Sequence, residues 1–295
     1  MSKSVNGISI LVPCYNEQGA IAATVEAVHA AMRDTGDFAY EVIVIDDGST
    51  DQSAEMINAS QCRLIRLPVN RGYGAALKTG ARQATHDLLA IIDADGTYPA
   101  DRLVDMAREL GEAEMIVGAR VGVGVEVPLA RRPAKWTLTA LAKYLTDTPI
   151  PDLNSGLRVV RRDLWRCYER YLPDGFSLTT TITLAALTNG HEVKYKPIEY
   201  RRRVGRSKIR PIRDTIEFVK LILRTVLYFD PMKIFVPLSL LLFAAGAMIG
   251  VGSLIVSKWF GLGQFMDVTT VVLFLSGMQM LAIGALADLI TKRIG

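Results

Sequence analysis

The chain has 295 residues, half of them hydrophobic and 22% charged, with a formal net charge of +4. That apolar content supplies a sizeable core and excludes disorder as the main state, while the positive mean hydropathy is too high for an ordinary soluble domain. The charge is uneven, because Lys196 to Arg224 carries ten Lys and Arg against Glu199, Asp214 and Glu217, which leaves the rest net acidic.

Met1 to Gly7 is polar and the apolar run after it is too short for a signal-peptide core, so no cleaved targeting segment is expected. From residue 8 to residue 120, short β-branched runs at Ile8 to Val12, Glu41 to Ile45, Arg63 to Leu67, Leu88 to Ile92 and Met115 to Val117 read as strands. Between them Ala20 to Met32, Asp51 to Ala59, Ala75 to Ala84 and Ala100 to Leu110 read as helices. Strands apolar at nearly every position are covered on both faces, which points to a parallel α/β sheet. Further on come a helix at Ala130 to Leu145, a strand at Leu157 to Val160, helices near Arg162 to Tyr171 and Leu178 to Asn189, and a strand at Glu192 to Tyr200.

Over residues 211–230, Ile212, Ile216, Val219, Leu223, Val226 and Leu227 recur at helical spacing, with Arg213, Glu217, Lys220 and Arg224 on the other side. This predicts an amphipathic helix at a membrane interface. Ile234 to Ser257 is then 24 residues without a charge. At ~1.5 Å per residue that is about 36 Å of helix, against a hydrocarbon core of about 30 Å. A second run begins at Val268, so two spans, about 234–257 and 268–290, form a hairpin. Basic residues before the first span and Lys292 and Arg293 after the second place both flanks in the cytoplasm. The expected organisation is a cytoplasmic domain over 1–210, the interfacial helix over 211–230 and the hairpin over 231–295.

In an open α/β sheet ligands bind beyond the carboxyl ends of the strands. The first strand delivers Pro13-Cys14-Tyr15-Asn16-Glu17, the second Asp46-Asp47-Gly48-Ser49 and the fourth Asp93-Ala94-Asp95. Neither a dinucleotide glycine fingerprint nor a GxxxxGK[ST] loop occurs. Acidic groups at a phosphate site need a bridging divalent cation, and oxygen ligands select Mg²⁺ or Mn²⁺, so Asp93 and Asp95 are the candidate metal ligands. Two aspartates in a strand-to-helix loop also serve as caps, and Pro13 can simply end its strand. Read as an RNA-binding surface, the basic tract lacks aromatic interleaving and runs straight into a hydrophobic hairpin, so no nucleic-acid partner is expected.

These motifs, with Asn70-Arg71-Gly72-Tyr73-Gly74 in order between the second and the third, resemble the family 2 glycosyltransferases of the GT-A fold. More narrowly, they resemble the membrane-anchored bacterial members of the dolichol-phosphate mannose synthase group of polyprenyl-phosphate glycosyltransferases. The resemblance covers roughly residues 5 to 230 and implies a Rossmann-like mixed sheet flanked by helices. It implies that Pro13, Tyr15 and Glu17 line a nucleotide pocket, that Asp47, beside Asp46, binds the nucleobase, and that Asp93 and Asp95 hold Mg²⁺ or Mn²⁺ on the diphosphate. Relatives often carry Gln two residues after the second Asp, where this chain has Thr97, which puts the third metal ligand in doubt.

Arg131, Ser155, Arg158, Arg202, Arg203, Arg206, Ser207 and Lys208 resemble the family's phosphate-binding elements and imply a lipid-phosphate acceptor at the bilayer surface. The implied reaction is inverting, metal-dependent transfer of a sugar from a UDP-hexose or GDP-mannose donor to an undecaprenyl or dolichyl phosphate, at the cytoplasmic face of the cell membrane. Two alternatives stay open. A polysaccharide- or glycolipid-elongating enzyme usually carries a QxxRW element, of which Trp165-Arg166 lacks the Gln; a non-catalytic sugar-nucleotide-binding protein would not need Asp47, Asp93 and Asp95. A homo-oligomer is compatible with the sequence and not specified by it.

Overall fold

The computed structural model describes residues 7–36, 38–57, 61–121, 143, 148–200, 227, 230–260 and 268–294. The chain divides into two compact units, Met1–Leu221 and Ile222–Gly295. The expected amphipathic helix and the second basic helix near 130–145 lie outside the described residues, apart from Lys143, Leu227 and Asp230.

The first unit is built on a sheet of seven strands among the described residues: β1 (Gly7–Cys14), β2 (Ala39–Asp46), β3 (Arg63–Arg66), β4 (Leu88–Ile91), β5 (Met115–Val121), β6 (Arg158–Arg161) and β7 (Val193–Glu199), in the order β3-β2-β1-β4-β6-β5-β7. β1 pairs in parallel with both β2 and β4, and β2 with β3. β6 runs antiparallel to both β4 and β5, and β5 is parallel to β7. The five strands read at residues 8–120 thus all run parallel to one another, and β6 makes the sheet as a whole mixed, as the family resemblance implies. The reversal sits at β6, where two valines between two arginines carry no signal of direction.

Every residue of β1 is buried, which is why its sequence is apolar at seven of eight positions without alternation. Pro13 is tolerated in this central strand because the ladder to β4 ends at Leu11 and Ile91, so its missing N–H is not needed on that side. Helix α1 (Ile21–Thr35) buries Ile21, Val25, Val28 and Met32 at three- and four-residue spacing. With α3 (Arg102–Glu109) it covers one face of the sheet. Helices α2 (Tyr73–Gln83), α4 (Arg162–Tyr168) and α5 (Leu178–Thr188) are the other α-helices among the described residues of this unit.

One expected helix is absent. Residues 51–57 form bends and turns, because the Asp51 carboxylate accepts the Ser53 N–H at 2.9 Å and the Gln18 N–H at 3.3 Å. Side-chain bonds of this kind offer the backbone an alternative to helix.

The second unit contains α6 (Met232–Phe260) and α7 (Val268–Ile294). Both are long and apolar enough to cross a membrane, over Met232–Trp259 and Val268–Thr291. They pack through Phe243 and Phe274, ring centroids 5.7 Å apart, while large apolar side chains such as Leu241, Met248 and Leu289 face outward. That pattern suits a lipid solvent.

Candidate active site

The ends of β1, β2 and β4 bring three loops together. The first two are joined by side chain to backbone bonds: the Asn16 N–H donates to Ser49 Oγ at 3.0 Å, the Thr50 N–H to Asn16 Oδ1 at 2.8 Å, and the Glu17 N–H to Ser53 Oγ at 2.7 Å. Pro13 is buried beneath this junction, Tyr15 is 38% exposed beside it, and Glu17 is part-buried.

Asp46 and Asp47 are both buried. Asp46 Oδ1 accepts the Ser49 N–H at 3.0 Å and so closes the β2 turn. Both oxygens of Asp47 are engaged, accepting the N–H groups of Arg71 and Gly72 at 2.8 Å each. A carboxylate has about four acceptor positions, so Asp47 can order the 70–72 loop and still accept from a ligand.

The third loop carries the carboxylate pair. Thr24 Oγ1 donates to the Ala94 carbonyl at 3.1 Å and pins the loop to α1. Asp95 Oδ1 accepts from the Thr97 N–H at 3.1 Å and from Thr97 Oγ1 at 2.6 Å. Thr97, which is buried, therefore orients Asp95, which accounts for its hydroxyl without a ligand role. Asp93 Oδ1 accepts from the Tyr73 hydroxyl at 2.9 Å. Gly156 closes the other side, where a Cβ would lie 2.6 Å from Asp93 Oδ1, so no larger residue fits. Burial and the charge of Asp95 push the Asp93 carboxyl up to about 6.

A buried carboxylate crowded by the charge of a second is the donor chemistry a divalent cation relieves. Among the described residues no group of three His, Cys, Asp or Glu side chains could hold a metal. Asp93 and Asp95 offer hard carboxylate oxygens, a donor chemistry that fits Mg²⁺ or Mn²⁺.

Behind Asp93 lies the Asn154-Ser155-Gly156 turn. The Gly156 N–H donates to the Tyr98 hydroxyl at 2.8 Å, and the Tyr98 ring meets Tyr200 edge-on at 5.3 Å. Arg120 forms a two-point pair with Asp152, Nε to Oδ2 at 2.7 Å and Nη2 to Oδ1 at 2.9 Å.

Two of the expected phosphate contacts lie inside the fold. Ser155 and Arg158 are fully buried. The Arg158 guanidinium donates to the carbonyls of Ser155 and Thr179 and to Thr183 Oγ1, which ties the turn to α5 and leaves it no surface to offer a lipid. Its Asn-Ser-Gly setting resembles a ligand loop, but its side chain points into the strand's covered face. Arg131, Arg202, Arg203, Arg206, Ser207 and Lys208 lie outside the described residues. The sequence reading leaves Tyr73, Tyr98, Arg120 and Asp152 without a role. Tyr73 lies in a quoted motif, but only folding shows that its hydroxyl reaches Asp93.

Comparison with known proteins gives the family and the fold. The model described as Glycosyl transferase family 2 matches residues 9–168, and the GtrB C-terminal hairpin model matches residues 230–293. A low-salt glycan biosynthesis hexosyltransferase of Haloferax volcanii is 30% identical over 73% of this chain; that alignment takes in 53% of the relative, so the chain spans about half its length. An undecaprenyl-phosphate 4-deoxy-4-formamido-L-arabinose transferase of Pectobacterium atrosepticum is 27% identical over 99% of this chain and 90% of its own. The crystal structure of glucosyl-3-phosphoglycerate synthase from Mycobacterium tuberculosis with Mn²⁺, UDP and glucosyl-3-phosphoglycerate superposes with a TM-score of 0.56 at 22% identity, over 75% of this chain and 79% of that one.

Proposed function

The chain belongs to glycosyl transferase family 2, and on that premise we propose that it transfers a sugar, with inversion, from a nucleotide sugar to a polyprenyl phosphate at the cytoplasmic face of a membrane. The observation that carries the reading is the Asp93 and Asp95 pair at the end of β4, in a chain that also ends in a membrane-length hairpin. The relative acting on undecaprenyl phosphate supports the acceptor class. UDP-hexose and GDP-mannose are the donors to test first.

A phosphate monoester with a second pKa near ~6 is largely dianionic at neutral pH, so the acceptor is already a nucleophile and needs no strong base. Catalysis then reduces to orienting that phosphate against the anomeric carbon and balancing charge on the departing diphosphate. Asp93 and Asp95 would hold the divalent cation, which when bound supplies that neutralisation. Tyr73 and Thr97 hold the two carboxylates in place. Asp47 keeps the 70–72 loop against the nucleotide side. Arg131, Arg202, Arg203, Arg206, Ser207 and Lys208 are proposed to grip the acceptor phosphate, the basic tract lying just ahead of the hairpin.

A radiolabelled-donor screen against undecaprenyl and dolichyl phosphate, scored for sugar in the lipid phase, tests the reading. Label that stays in water with both lipids and both donors counts against it. Arg206→Ala should raise the KM for polyprenyl phosphate about 10- to 150-fold, as loss of one charge-assisted contact implies, with donor affinity unchanged. A weakened donor and an unchanged acceptor KM would move Arg206 to the leaving-group site.

A further inference from the structure

Phe176 is 82% exposed, an uncommon setting for phenylalanine in a folded domain, yet the structure beneath it is tightly held. Its ring stacks on Tyr73, centroids 5.4 Å apart and planes 17° from parallel, and the Tyr73 hydroxyl reaches Asp93. The 172–176 loop that carries Phe176 is clamped to the start of α2. The Ala75 N–H donates to the Asp174 carbonyl at 3.0 Å, while Lys78 donates to the Leu172 carbonyl at 3.1 Å and pairs with the Asp174 carboxylate. The two segments lie so close that a Cβ at Gly72 would sit 2.6 Å from the Asp174 carbonyl oxygen, and one at Gly74 2.9 Å from that of Gly175. Ordering a loop costs conformational entropy, and here the ordering presents an apolar ring to water rather than burying it. A surface fixed before its ligand arrives is what preorganised binding requires.

We propose that Phe176, backed by Tyr73, is the platform on which the donor's sugar rests, and so a specificity-determining residue of the site. The inference rests on the nucleotide-sugar reading above. The sugar of such a donor is bonded directly to the diphosphate, so it lies beside whatever borders the carboxylates that would hold the diphosphate's cation. Tyr73 borders Asp93. An aromatic face receives the C–H face of a sugar ring while polar neighbours serve its hydroxyls. The neighbours of Phe176 in the chain are Asp174, Gly175 and Ser177, polar or small. A prenyl chain would call for a continuous apolar track instead.

Calorimetric titration of the full-length protein in detergent with Mn²⁺, comparing UDP-glucose with UDP and GDP-mannose with GDP, tests this. Phe176→Ala should lower the affinity for the sugar nucleotide relative to its bare diphosphate by roughly 2- to 12-fold, the equivalent of one aromatic contact. Affinity for the diphosphate itself should not change, and Phe176→Trp should restore the ratio. An unchanged ratio for both pairs in the alanine variant overturns the proposal. So does a variant whose only change is a raised KM for undecaprenyl phosphate, which would assign the ring to the lipid. The titrations contain no lipid, so a failure of the wild-type protein to label either polyprenyl phosphate would sink the acceptor reading and leave this one standing.

Discussion

On the β1 and β2 side of the sheet, loops are tied by carboxylates that accept backbone N–H groups: Asp46 from Ser49, Asp47 from Arg71 and Gly72, Asp51 from Gln18 and Ser53. Across the β5 and β6 side the ties are arginines that donate, Arg158 to Ser155 and Thr179, Arg161 to Gly111 and Ala113, and Arg120 to Asp152. Asp93 stands between the two, with Tyr73 on one side and Gly156 on the other. Under the proposed function, a diphosphate approaching the acidic side finds these backbone donors already taken and like charge facing it, so a cation would mediate. On the other side the guanidiniums of Arg120, Arg158 and Arg161 are committed to the fold, and under the proposed function the cations for a lipid phosphate come from elsewhere in the chain.

The largest expected effect bears on that asymmetry. Asp95→Asn should lower transfer on the order of 10³-fold, since several kcal/mol of charge stabilisation depend on the cation. The fold should persist, because the amide oxygen can still accept from Thr97. Circular dichroism together with a transfer assay in Mn²⁺ and in EDTA checks this, and full activity in EDTA would contradict it. Next, Asp47→Asn should cost about 2 to 3 kcal/mol, because an amide offers one acceptor where two N–H groups need two. A lowered thermal midpoint and weaker nucleotide binding are the readouts, and a wild-type midpoint would mean the acidic ties are dispensable.

Asp152→Asn probes the opposite side. The pair is partly buried, its side chains 26% and 11% exposed, so the loss should be about 2 kcal/mol rather than the ~3 to 5 of a fully buried pair. Burial alone would raise the Asp152 carboxyl, but the hydrogen bonds and charge of Arg120 bring it below its usual range. A depressed carboxyl stabilises the folded state above its unfolded pKa of about 4 and loses that contribution as pH falls through the folded value. The stability difference between wild type and variant should therefore be full at neutral pH and shrink below about pH 4. The smallest effect is expected of Tyr73→Phe, which keeps the stack on Phe176 and removes the bond to Asp93. A loss of roughly 2- to 12-fold in kcat/KM is the equivalent of one hydrogen bond.

Strands β1 and β4 and the inner end of β2 are legible in the sequence because burial on both faces demands apolar residues at nearly every position, a pattern few other elements share. The two long helices are legible for the same reason, since a lipid solvent tolerates no charge across their middles. The reversed β6 is not legible, because Arg158 to Arg161 has two apolar residues between two arginines and pairs with either direction equally well. Asp51 to Ala59 reads as a helix, yet over 51–57 the Asp51 carboxylate binds the backbone of Ser53 and, across the junction, that of Gln18.

What the sequence determined by itself is chemistry that depends on residue type and order: the acidic loop after each buried strand, the carboxylate pair, and the uncharged spans with their basic flanks. What only the tertiary structure decided is which polar atoms are already satisfied. Arg158 reads as a cation for a phosphate until its guanidinium is found buried on carbonyls 21 and 3 residues away along the chain, and Tyr73 is one more aromatic until its hydroxyl lies on Asp93, 20 residues on. Burial and hydrogen-bond partnership are properties of position in space. Two arginines of identical local pattern can therefore serve the fold or the ligand, and the choice is made when the strands pack.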